Sequence, residues 1–142
     1  MHAEVVIDAT VWVSRLVHQD TNHAASRLWV NRYIAAGGLL VAPALLAIEV
    51  AASISRQTGK FILAKAEAKN LYSIPSMRLM ALDSNLLWVA VDVAADLQLR
   101  TGDATYVALA HQLNIPLVSW DKEQLQRARS LTVTYTPESY VF

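Results

Sequence analysis

Cysteine is absent from all 142 residues, which excludes disulfides, thiolate metal sites and cysteine nucleophiles at once. The absence fits a reducing cytoplasm, the location expected for the chain. An excess of either charge is lacking too: 12 basic residues face 12 acidic ones, for a formal net charge of zero. Nucleic-acid binders usually carry a basic balance, so such a partner has to be argued from where the charges sit. The N-terminal stretch MHAEVVIDAT has no basic region followed by a long apolar run, so no signal peptide is expected. Charged residues make up only 17% of the chain against 54% hydrophobic, which excludes disorder. The length suits one domain over residues 1–142 and is enough to bury a core. No repeat, low-complexity segment or interdomain linker divides it.

The one membrane-like stretch, Tyr33 to Ile54, is long enough to span a bilayer, for which roughly 20 residues are needed. Gly37, Gly38 and Pro43 divide it, however, and Glu49 sits inside it. It reads as a helix end, a turn, a buried strand and a buried helix.

Short apolar runs rich in β-branched residues alternate with stretches of helical period. Strands are expected at Val5–Ile7, Leu39–Ala42, Arg78–Leu82, Leu117–Ser119 and Thr132–Tyr135. The runs before Asp8, Pro43 and Asp121 lack polar alternation, as strands buried on both faces of a parallel sheet do. Helices are expected at Asn22–Ala36, Ala44–Arg56, Phe61–Tyr72, Asn85–Leu99 and Asp103–Leu113, with a short one after Asp121. Ser84 is the expected N-cap of the fourth of these, and Gly102 suits the position just past its end. Trp29 and Trp88 fall on apolar helical stripes and read as core. This alternation predicts an α/β chain, a mostly parallel sheet with helices on both faces.

Four acids stand out against that frame. In open α/β sheets, ligands bind beyond the carboxyl ends of the strands; Asp8 follows Val5–Ile7 immediately, and Asp121 lies two residues beyond Ser119. Asp103 opens a helix and can face the same end, although helix capping alone would also explain it. Glu49 is the only charge between Ala44 and Ile54. A buried carboxylate without a partner is strongly unfavourable, so a metal ion, a distant arginine or protonation must compensate it. Converging carboxylates repel one another, by ~4 kcal/mol for two unit charges ~4 Å apart at an effective dielectric near 20. A divalent cation would offset that repulsion. Oxygen ligands without cysteine or paired histidines select Mg²⁺ or Mn²⁺ over zinc. His18, His23 and His111 have no ligand spacing.

These residues carry a resemblance. The blocks VVIDATVWV, LLVAPALLAIEVAASI and GDATYVALAHQLNIPLVSWDKEQL, in that order and spacing, are similar to those of PIN-domain ribonucleases, in particular the VapC-type toxins of prokaryotic toxin–antitoxin pairs. The last block is the most specific. The resemblance covers essentially the whole chain and implies a three-layer α/β sandwich with a five-stranded sheet of order 3-2-1-4-5. It implies a metal site formed by Asp8, Glu49, Asp103 and Asp121, with Thr10 and Ser119 as hydroxyls that fix the carboxylates. It further implies a metal-dependent endoribonuclease, a homodimer, and an antitoxin that lies over apolar helices beside the active site. Serine at position 119 stands where threonine is commoner, and bulky Trp12 and Trp120 flank the site; neither change removes a ligand.

For RNA, Arg15 lies about two turns beyond Asp8 and Arg100 three residues before Asp103, so both are expected contacts. Lys65 and Lys69 share a helix face near Lys60 and Arg56, which fits either an RNA surface or an ordinary solvated one. Trp12 fits either an exposed docking residue or a core residue. Two other functions stay open beside the nuclease. One is a catalytically degenerate PIN-like module that binds RNA or a partner. The other is a phosphoacceptor receiver domain, disfavoured because Asp121 stands where a lysine would follow the late strand.

Overall fold

The computed structural model describes residues 1–142. Strand β1 (Glu4–Ile7) leads through α1 (Ala9–Leu16) and α2 (His23–Ala35) to β2 (Leu39–Pro43). Helices α3 (Leu46–Thr58) and α4 (Phe61–Asn70), with a short 3₁₀ turn at Leu71–Ser73, lead to β3 (Met77–Met80). Then come α5 (Ser84–Leu97), α6 (Thr101–Leu113), β4 (Leu117–Val118), α7 (Lys122–Ala128) and β5 (Thr134–Tyr135). The five strands are all parallel and lie in the order β3-β2-β1-β4-β5. Order and direction are those the resemblance implies.

Successive strand residues point to opposite faces, so the full burial of Val5, Val6 and Ile7 means that both faces of β1 are covered. Helix α6 does much of this. Ala104 through Ala110 are all buried, and α6 packs on β1, β2 and β4 while pairing with α5. A helix apolar all round belongs inside. The stretch Tyr33 to Ile54 resolves into the end of α2, a turn, β2 and most of α3, and no helix is long and apolar enough to cross a membrane. The turn needs its glycines. Gly37 has φ +89°, and a Cβ on Gly38 would come 2.2 Å from the Tyr33 ring.

Several local expectations need correction. Helix α1 was not among the expected helices, because its eight residues are short for a periodic signal. Asp83, not Ser84, caps α5, its carboxylate accepting from Leu86 N at 2.8 Å. That helix ends at Gln98 in the left-handed region, while Gly102 lies inside the first turn of α6. Strand β3 begins one residue early and stops at Met80. Trp88 is 64% exposed rather than core. At about 100° per residue, it points away from the buried stripe of Leu86, Ala90 and Val93. Trp29 and Trp12 are both buried, which decides Trp12 in favour of the core.

Candidate active site

Sheet order places the ends of β1 and β4 side by side, with Val6 opposite Leu117 and Ile7 opposite Val118. The residues that leave these strands therefore meet. Asp8 caps α1 while doing so: Oδ1 accepts from Thr10 N at 3.1 Å and from Thr10 Oγ1 at 2.5 Å. Ser119 Oγ lies 2.5 Å from Asp8 Oδ2 and 3.1 Å from Gln124 Oε1. One hydroxyl proton cannot serve both acceptors, so the network closes fully when Asp8 itself carries a proton on Oδ2. The electrostatics agree. Burial pushes the Asp8 carboxyl up to about 7, against the lowering effect of its Ser119 and Thr10 hydrogen bonds. Asp8 is only 3% exposed.

Gln124 extends the network. It is fully buried, and its Nε2 donates to the Asp103 carbonyl at 3.3 Å. Thr10 Oγ1 also accepts from Trp120 N at 2.9 Å, and Ser119 Oγ from Asp121 N at 2.9 Å. A continuous set of hydrogen bonds thus ties Asp8 to Ser119, Gln124 and the first turn of α6. Asp103 is the third residue of that helix rather than its cap, so capping does not explain it. Asp121 does cap a helix, accepting from Gln124 N at 3.1 Å.

Glu49 approaches from α3. Its carboxylate lies against Gly102, 3.4 Å from where a Cβ would stand, beside the start of α6. No arginine reaches it. The chain's two ion pairs are Arg78–Glu4 and Arg127–Glu123, both on the surface. Instead, Glu49 faces the Tyr106 phenol, which draws its carboxyl down without a well-formed hydrogen bond: Glu49 Oε1 and Tyr106 Oη are both buried, and neither has another partner. Burial nonetheless raises the Glu49 carboxyl. It raises Asp103 too, with Asp121 and Glu49 adding repulsion and Arg100 opposing it. Burial, with Glu49, Asp8 and Asp103 adding to it, holds the Tyr106 phenol far from ionisation.

All four acids therefore lie toward one end of the sheet, and Asp103 links them through space: Asp121 and Glu49 raise it, and it raises Asp8. No three of them, however, stand at the spacing of a single ion's ligands. Two grooves flank them. One, of about 490 Å³, includes Thr10, Glu49, Trp120 and Asp121; the other, of about 230 Å³, includes Arg100, Asp103 and Asp121. Asp8 lines neither groove. The donor set fits a divalent cation: hard oxygens only, one buried carboxylate oxygen unpaired, and repulsion that positive charge would relieve.

The expected RNA contacts separate. Arg100 stands in the smaller groove beside Asp103. Arg15 does not reach either groove. Seven residues of helix carry it about 10 Å from Asp8, and its guanidinium folds over Trp12, 4.5 Å from the ring centre. There it joins His18, His23 and Arg27 around a separate pocket. Lys65 sits near Phe61 at the apolar groove between α3 and α4. Tyr106 and Gln124 were not singled out from sequence. A signal existed: each lies three residues beyond an acid on a helix, Asp103 and Asp121, and so shares its face.

The family model that matches this chain is that of the PIN domain, over residues 5–130. No curated sequence matches it. Among solved structures it is similar to VapC20 of Mycobacterium tuberculosis, a sarcin-ricin loop cleaving toxin, at 16% identity and a TM-score of 0.71, covering 84% of this chain and 92% of that one. It is similar to FitAcB of Neisseria gonorrhoeae at 14% identity and a TM-score of 0.71, over 96% and 99% of the two chains. VapBC2 of Rickettsia felis, bound to a DNA fragment from its promoter, follows at 9% identity and a TM-score of 0.70, over 94% and 98%. At these identities the likeness is one of fold.

Proposed function

We propose that this chain, which belongs to the PIN-domain family, is a Mg²⁺- or Mn²⁺-dependent endoribonuclease of the VapC type, acting as one unit over residues 1–142. The observation that carries the reading is the gathering of four carboxylates toward one sheet end, with Glu49 Oε1 buried and faced by no cationic side chain. A structural cluster of acids would have acquired arginine or lysine partners; this one has none at Glu49.

Asp8, Glu49, Asp103 and Asp121 would hold the cation. When bound, it lowers the pKa of water and offsets charge building on the scissile phosphate. Thr10 and Ser119 hold the two Asp8 oxygens, so that the carboxylate keeps one orientation when it ionises. Gln124 couples this clamp to the Asp103 backbone, keeping two ligands from different helices in register. Glu49, on its own helix across the groove, would be a ligand or would orient the attacking water. Arg100, beside Asp103, would meet a phosphate of the strand. Arg15, with Arg27, would meet the strand farther from the cut.

The likeness to a toxin that cleaves the sarcin-ricin loop supports RNA as the substrate. Exposed Ile48, Phe61 and Ile62, beside an apolar groove between α3 and α4, support a protein partner. In this reading the partners are a cognate antitoxin and a second copy of the chain, and the location is the cytoplasm. The test is cleavage of a structured RNA with Mn²⁺, run beside denaturation in chelator. Glu49→Gln and Asp103→Asn should unfold at the same or higher denaturant, yet lose orders of magnitude in cleavage. Retained cleavage in both variants would defeat the proposal.

A further inference from the structure

The larger groove continues past Glu49 and Asp121, and cation binding does not account for the rest of its wall. Asp20, Asn22, Ser53, Gln57 and Trp120 also line its volume of about 490 Å³, and no lysine, arginine or histidine does. The only charged groups a phosphate would meet there are carboxylates, which repel it. The groove suits a planar, neutral group rich in hydrogen-bonding edges. Asn22 donates its backbone N–H to Asp20 Oδ1 at 2.8 Å and accepts from Ser26 N at 2.9 Å, while its side-chain amide makes no capping bond. The Asn22 and Gln57 amides and the Asp20 carboxylate, all on residues that line the cavity, are thus its hydrogen-bonding groups.

Trp120 is held in an unusual way for a half-buried tryptophan. Its Nε1–H donates to Ser26 Oγ at 2.7 Å, Ser26 bonds Ser14 Oγ at 2.6 Å, and Ser14 donates to the Val11 carbonyl at 3.0 Å. Each hydroxyl accepts once and donates once, so the relay is complete. Both serines are buried, Ser26 completely. Buried hydroxyls are unfavourable unless they are hydrogen-bonded. Here the relay fixes the indole edge from below and Thr10 fixes the backbone, leaving the ring at the groove.

We infer that this groove is a nucleobase subsite: one unpaired base of an RNA strand, next to the phosphate being cut, stacks on Trp120. Asn22, Gln57 and Asp20 read its edge. The inference rests on the ribonuclease reading and deepens it, naming single-stranded RNA and a base-reading position. Stacking on fixed aromatic rings is how proteins hold unpaired bases. With Asp20 as a free acceptor, an edge bearing an exocyclic amine is favoured, so cytosine should bind better than uracil.

The experiment uses the full chain in chelator, so that nothing is cleaved, and carries Trp88→Phe. Trp12 and Trp29 are buried, so the half-buried Trp120 is then the most accessible indole. A short, labelled oligocytidine should quench its emission, saturating where anisotropy reports binding. Trp120→Leu should weaken binding roughly tenfold and Trp120→Phe much less, because a phenyl ring still stacks. Oligouridine should bind more weakly than oligocytidine. RNA that binds without quenching, or equally well to folded Trp120→Leu, overturns the subsite and leaves the nuclease reading intact. Equal binding of the two oligonucleotides removes Asp20, Asn22 and Gln57 as readers. No RNA binding by the unaltered chain overturns the subsite, while cleavage of a structured RNA with Mn²⁺ remains the separate test of the nuclease reading.

Discussion

The two ends of the sheet are built on opposite terms. Around the starts of β1 and β2, aromatic rings pack edge to face: Tyr140 lies 5.8 Å from Tyr33 and 5.5 Å from Trp29, and Phe142 lies 5.8 Å from Tyr33. Tyr33 Oη donates to the His2 carbonyl at 2.6 Å, and His2 N donates to Tyr140 Oη at 2.7 Å. Apart from Trp29 Nε1, the polar atoms buried there are partnered. At the other end, charges are buried, repelled by their neighbours and in part unpaired. One end spends its contacts on holding the chain together; the other holds groups that would be more stable apart. That is the expected contrast between a packing site and a site of chemistry.

Changes at the two ends should therefore move stability and activity separately. The largest effect on stability is expected at the aromatic end. Tyr33→Ala opens a cavity under Gly38 and strips the His2 carbonyl of its partner, and should cost about 3–5 kcal/mol. Denaturant titration would show a lower midpoint with an unchanged slope. The fraction still folded should keep its metal-dependent cleavage.

Asp8→Asn should act in the opposite direction. The Asp8 pKa is raised in the folded chain, from an ordinary 3.8 to about 7. The folded state thus holds its proton while the unfolded state loses it, so wild-type stability falls as pH rises from about 4 to about 7 and then levels off. In chelator the Asn variant should lack this fall. At pH 8 it should exceed the wild type by at most about 4 kcal/mol, while cleavage disappears. A variant less stable than the wild type at pH 8 would make Asp8 a structural cap first.

The smallest effect is expected at Tyr106. Its hydroxyl is buried, faces Glu49 and makes no well-formed hydrogen bond, so Tyr106→Phe should change stability by no more than about 1 kcal/mol. If the phenol closes onto Glu49 when the site is at work, turnover falls although stability does not. Unchanged turnover would confine Tyr106 to packing.

How much of this was legible in the sequence differs between the same two ends. The buried strands before Asp8 and Asp121 and the helix around Glu49 carry strong local patterns, so the sheet and the four acids could be placed. The strand order came through the resemblance, since periodicity says nothing of which strands are neighbours. The aromatic end was invisible because Trp29, Tyr33, Tyr135 and Tyr140 meet only after the chain has closed. The same holds for the Ser14–Ser26–Trp120 relay, whose members carry no motif. Arg15 was misplaced for a different reason: helix spacing gave its distance from Asp8 but not the turn of its side chain onto Trp12. Trp88 was misassigned because its apolar character was read without its phase on α5.

The central claim is that the carboxylate end is destabilised in order to take up a divalent cation. Calorimetric titration of Mn²⁺ at pH 6.5, in two buffers of different ionisation enthalpy, tests it most directly. Asp8, held up to about 7 by burial, must ionise to become a ligand, so binding should be saturable and should release a proton. The apparent heat should differ between the buffers, and Asp8→Asn should reduce that difference. No saturable heat, or the same heat in both buffers, would contradict the account.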